Sequence, residues 1–268
     1  MGLRINILVC VALSMSLCWA DAPLVKQLLQ AALADTEGLA PGPTDSAYLK
    51  LNDALDSLTP GEIEALLPTG MQCLKSAHPH PQAAGVTFLI AAMLTPGSAA
   101  LLDPYMDDFD AILRDPANPT RQSIIAILET TTPSMSPKAI QLFLTHLEDK
   151  ANTPLQTGGI EYGLLRAAPS NQSILHQVLS VAENRSEFDV KYAVLQAIGL
   201  SKIQVPEALD FIGKELEDPI ARSAAIVAAS YLDRDVRARF AAQLSRIAQD
   251  PDLAPDIRGA AGAAINGH

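Results

Sequence analysis

Four shortages narrow what this chain can be. The first is cysteine: Cys10 and Cys18 fall within the first twenty residues, and Cys73 stands alone beyond them. One cysteine cannot close an internal disulfide, so packing must hold the fold in any redox compartment. The second is aromatic residues, 4% of the chain, with Trp19 the single tryptophan. The core must then be aliphatic, and its wealth of Ala and Leu is a helical composition. The third is positive charge: 19 Lys and Arg face 30 Asp and Glu, for a formal charge of −11. Such a surface repels a phosphate backbone and argues against a nucleic-acid partner. The fourth is long apolar runs. The longest begins at Ile5 and falls short of the roughly 20 residues that a bilayer span needs.

Signatures of catalysis are also scarce. The chain has no Gly-rich phosphate loop, no GxSxG elbow and no HExxH pair, and nothing in it calls for a cofactor or a metal. Its five histidines are His78, His80, His146, His176 and His268, and only the first two lie close together, in HPHP (78–81). Two prolines should hold that segment extended as a solvated loop. A Ser/His/Asp triad leaves no local mark, because its members come from distant positions. Cys73, flanked by Met71 and Leu74, suits a small buried core residue better than a reactive thiol.

The first twenty residues, MGLRINILVCVALSMSLCWA, have one charge at Arg4, a short apolar middle and a small residue, Ala20, before Asp21. This is the layout of a cleaved secretory signal, which makes the protein periplasmic or secreted. Lipoprotein processing at Cys18 is disfavoured by Leu17, and an uncleaved anchor by the length of the run. Cleavage would remove Arg4 and no acid, leaving the mature chain more negative still. NQS (171–173) and NRS (184–186) are glycosylation sequons, relevant in a eukaryotic host.

Beyond the leader the chain repeats itself. SPKAIQLFLTHLED (136–149) returns as VPEALDFIGKELED (205–218), with Pro137/Pro206, Ala139/Ala208, Leu147/Leu216, Glu148/Glu217 and Asp149/Asp218 identical. QSILHQVLSVAE (172–183) fits midway. Ile140, Phe143, Leu144 and Leu147 share one face of a helix at 3, 4 and 7 spacing, with Ser136 as N-cap and Pro137 in the first turn. A second phrase precedes each copy: TRQSIIAIL (120–128), DVKYAVLQAIG (189–199), IARSAAIVAAS (220–230) and DIRGAAGAAIN (256–266). In it Arg121, Lys191, Arg222 and Arg258 stand two places before a small residue, and Asp189 or Asp218-Pro219 marks a helix start. First-helix starts fall near 81, 119, 155, 187, 219 and 254. A helical hairpin with one apolar face needs a neighbour to bury it, so the pattern predicts stacked hairpins.

The Asp-x-[Lys/Arg]-x-Ala opening and the Leu-rich second helix resemble HEAT-like repeats over about residues 81–268, with units on the short side and Gln156 interrupting the basic column. The resemblance implies an all-α, right-handed solenoid of stacked antiparallel helix pairs. Residues 21–80 form an N-terminal helical cap: a short helix over 23–34, a Gly/Pro linker (37–44), and helices near 45–58 and 61–77. One branch of HEAT-like proteins holds a di-iron centre through His-Glu pairs, and this sequence has no such dipeptide.

In HEAT-like proteins the second helices line the concave groove. Opposite the apolar stripe the units align in columns: Gln141, His176 and Asp210; Thr145, Ser180 and Lys214; Glu148, Glu183 and Glu217. The Glu column sits in the last helical turn, where the helix dipole favours cations. Either nearby cations such as Lys150 and Arg185 compensate, or the column faces a basic or metal-bearing partner. Arg234, Arg237, Arg239 and Arg246 make the final second helix basic, so the groove should be acidic in the middle and basic at its C-terminal end. These columns, with Arg239 and Arg246, are the candidate contacts for a protein or peptide partner. The expected role is a non-catalytic exported scaffold or adaptor. The competing readings are a peptide-binding module that stabilises other exported proteins, and a bilin-lyase-like or small-ligand-handling protein.

Overall fold

The computed structural model describes residues 21–35, 51, 54–55 and 58–266. The leader, the 37–44 linker, most of the helix expected over 45–58, and His268 lie outside them. Every regular element among the described residues is helical. No described helix is long and apolar enough to cross a membrane. The chain divides into two compact units between Tyr105 and Met106.

The first unit contains α1 (Asp21–Ala34), α2 (Pro60–Leu74) and α3 (Pro79–Leu94), which pack on one another. Thr59 opens α2 through a capping box, its hydroxyl taking the Glu62 amide while the Glu62 carboxylate takes the Thr59 amide. The HPHP segment is not an extended loop. Only His78 is extended, as N-cap, while Pro79 and Pro81 sit in the first turn of α3, where a missing N–H costs nothing. His80 lies 3.0 Å from the Asp35 carboxylate. Val25 and Leu29 of α1 are fully buried, as are Ile63, Cys73, Phe88 and Leu89.

The second unit alternates two kinds of helix. One kind comprises α5 (Arg121–Thr130), α7 (Pro154–Ala167), α9 (Phe188–Leu200), α11 (Arg222–Tyr231) and α14 (Pro255–Asn266), each packed on the next. The other comprises α4 (Met106–Arg114), α6 (Pro137–His146), α8 (Gln172–Glu183), α10 (Pro206–Glu215) and α13 (Ala241–Gln249); α4 packs on α6, and α8 on α10. A single turn, α12 (Arg234–Arg237), and a 3-10 turn lead into α13. The sequence places five first-helix starts in this unit, each within three residues of an observed one.

Local chemistry accounts for the ends. Ser136 accepts the Ala139 amide before Pro137, as its spacing predicts. Thr153 and Gln156 close a second capping box, and Asn171 accepts two amides of α8. Asp189 and Asp218 are not caps: Glu187 and Ala221 hold those positions, with no side-chain bond. At the end of α9, Lys202 takes φ +49°, and the Ile203 amide reaches the Ile198 carbonyl in a Schellman closure without glycine.

The buried face of α6 is turned from the expected one. Phe143 and Leu147 of the expected face are buried, together with Ala139, Leu142 and His146, whereas Ile140 and Leu144 are only half-buried. The reason is polar. His146 Nε2 lies 2.8 Å from the Asp110 carboxylate of α4, which draws that edge of α6 inward. Asp110 also binds Arg114, and these two partners hold its carboxyl below the usual range against the opposing effect of burial.

Candidate functional site

Three of the four members of the first helices' basic column, Arg121, Lys191 and Arg222, make structural ties. Arg121, 2% exposed, donates to Asp149 at 2.9 Å and to Asn152 at 2.7 Å; Asn152 in turn donates to the His146 carbonyl. Lys191 donates to Glu215 at 2.8 Å and to Asp218. Asp149 and Asp218 are the acids that close the two copies of the repeated phrase. The same tie therefore joins a first helix to the far end of its second helix in two units. In the unit between, both charges are absent together: Gln156 replaces the cation, and Asn184 stands where the acid would be. Arg222 reaches back instead, and donates to the Leu216 and Glu217 carbonyls at the end of α10.

Burial works against the Lys191 ammonium, but hydrogen bonds to Asp218 and Glu215 outweigh it and hold its pKa above the ordinary lysine value. At Glu215 burial prevails and raises its pKa despite Lys191, and Asp218 is lowered chiefly by the Lys191 hydrogen bond. Glu161 of α7 has no such partner. It is fully buried, neither carboxylate oxygen has a hydrogen bond among the described residues, and burial pushes its pKa well up, with the Arg185 charge opposing and the Glu187 charge adding to the rise.

All eleven second-helix candidates are exposed: Gln141, Thr145 and Glu148 in and just beyond α6, His176, Ser180 and Glu183 on α8, Asp210, Lys214 and Glu217 in and just beyond α10, and Arg239 and Arg246 beyond them. Many are bound to one another across helices. His176 meets Glu207 at 2.8 Å, and Lys214 meets Glu183 at 3.2 Å. Arg239 meets Asp210 at 2.6 Å, and Arg246 meets Glu217 at 2.5 Å, with Gln243 adding a bond to the same carboxylate. The cations that answer Glu183 and Glu217 thus come from the next second helix, about thirty residues on. They are not Lys150 or Arg185; Arg185 pairs with Glu187. Glu148 makes no ion pair among the described residues. The basic C-terminal helix and the acidic middle cover each other's charge instead of standing as separate patches.

Two features escaped the sequence. Cys73 is in the expected core, but its Sγ also sits 3.5 Å from the Leu29 carbonyl, and burial lifts its pKa to about 11. The other is a cavity of about 300 Å³ among the first helices α5, α7 and α9. Its signal was present as GG (158–159) inside a helix and F-x-x-x-Y (188–192) at the start of the next, though neither repeats between units.

No known family model matches the chain, and a comparison with curated proteins finds no match.

Proposed function

We propose that this protein is an exported, HEAT-like α-solenoid that binds a protein or peptide partner without chemistry of its own, through the surface of its second helices. The observation that carries this reading is the ladder of ion pairs across α8, α10 and α13. Exposed pairs of this kind contribute only ~0–1 kcal/mol each to stability. They can be traded for a partner's charges at little cost to the fold, while their alternation in sign fixes the register of whatever docks. Periodic hairpins packed on their neighbours are what a solenoid requires. The N-terminal twenty residues supply the export part of the proposal.

The competing class, a ligand-handling protein, draws on one observation, the first-helix cavity. A comparative capture separates the two. The tagged chain is crosslinked in an envelope fraction beside a Glu148→Gln, Glu183→Gln, Glu217→Gln triple variant. A discrete protein held by the wild type and lost from the variant supports docking on the second helices. Equal capture by both removes the Glu column from the interface.

A further inference from the structure

The first-helix cavity is lined by three helices that contribute nothing to the second-helix ladder. Its floor includes two glycines that let α7 lie close against α5 and α9. A Cβ on Gly158 would come within 2.9 Å of the Asp189 carbonyl, and one on Gly159 within 2.7 Å of Ile125. Around that floor stand Leu155, Phe188 and Tyr192, which are 57%, 43% and 42% exposed. The Phe188 and Tyr192 rings lie 5.4 Å apart at 32°.

The polar lining is one-sided. Beside the tyrosines it consists of Glu129, Asp189, Gln122 and Gln196, with no Lys, Arg or His. Glu129, Gln122 and Gln196 have no side-chain hydrogen-bond partner among the described residues. Glu129 is also largely desolvated, and burial raises its carboxyl above the ordinary range. A carboxylate withdrawn from water without a cation is costly, and aromatic rings lining the same cavity favour a cation further. The volume lies at the lower end of the roughly 300–1,000 Å³ of ligand pockets, which suits one side chain better than a large ligand.

We propose that this cavity binds the arginine side chain of a polypeptide partner, with the guanidinium on Glu129 and against the Phe188–Tyr192 pair. The planar guanidinium carries five donors for the separate acceptors of Glu129, Gln122 and Gln196, stacks on aromatic rings, and sheds water more readily than an ammonium. The exposed apolar rim would cover the methylene stem. This site is independent of the second-helix face, and a short peptide reads it directly.

The test is an NMR titration of the full chain with the capped tripeptide Gly-Arg-Gly, following the Gly158 and Gly159 amides. Its controls are the citrulline tripeptide, equal in shape but neutral, and free agmatine. The arginine peptide should saturate both amide shifts, with citrulline about tenfold weaker or worse and agmatine weaker than the peptide. Glu129→Gln and the surface variant Tyr192→Ala should each weaken arginine binding by about tenfold and several-fold respectively; Tyr192→Ala serves alone if Glu129→Gln does not fold. Equal binding of citrulline, full affinity in the folded variants, or no shift at either glycine would overturn the site. Agmatine binding as tightly as the peptide would overturn the assignment to a polypeptide.

Discussion

The Lys191 ammonium lies 2.8 Å from the Glu215 carboxylate, where Glu215 is 1% exposed, and it also holds Asp218 at the close of the repeated phrase. A first helix and the end of its second helix are thereby joined by charge as well as by packing. Removing one member of a buried pair strands the other, at a typical cost of ~3–5 kcal/mol. Lys191→Met should therefore destabilise the protein by about that much in urea unfolding. The double variant Lys191→Met, Glu215→Leu should recover most of the loss. A single variant as stable as the wild type would show that the tie contributes nothing.

Glu161 gives the opposite sign. Its folded pKa is raised, so its protonated form favours the fold. That contribution is complete below the unfolded carboxyl pKa and is lost as pH rises through the folded one. Glu161→Gln should accordingly raise the melting temperature at neutral pH, by an equivalent of about 1–3 kcal/mol, and do little near pH 4. Melting curves of both proteins across pH 4–8 check this. A gain that does not fall away in acid would contradict it.

The rotated face of α6 predicts a contrast between neighbours. Phe143 is fully buried with Gly163 opposite, where a Cβ would come 2.5 Å from its ring. Phe143→Ala should cost about 3–5 kcal/mol, and Gly163→Ala about 1–3 kcal/mol through overpacking. Half-buried Leu144 should lose much less on truncation. Comparable costs at Phe143 and Leu144 would restore the face expected from periodicity.

Cys73 should be inert. With its pKa near 11 and its sulfur buried, the thiolate is scarce and shielded at neutral pH. A maleimide or disulfide reagent should modify it only after denaturant is added. Rapid labelling of the native protein would mean that α1 and α2 separate readily.

The legible part of this protein was the part written in short-range physics. Helix starts in the second unit could be placed because Ser136-Pro137 and the recurring basic phrase are local signals. Exposure of Gln141, His176 and Asp210 followed from helical spacing alone. The face of α6 was misjudged because His146 looks polar in sequence, and only a carboxylate 36 residues away makes it a core residue. The basic column was visible as a pattern, yet its meaning required the fold to bring Arg121 to Asp149 and Lys191 to Asp218. The cavity stayed hidden for a related reason. Gly158, Gly159, Phe188 and Glu129 come from three helices, and no periodicity links them.

The most direct test of the central claim is site-resolved photocrosslinking. A photoreactive side chain is placed at Ser180 or Thr145 on the second helices, and in separate proteins at the exposed first-helix positions Ser223 and Val227. Second-helix docking predicts a discrete crosslinked protein from the Ser180 and Thr145 probes, weakened by the triple Glu→Gln change and missing from Ser223 and Val227. Crosslinks confined to the first-helix positions would contradict the account and move the binding surface to the other layer of helices.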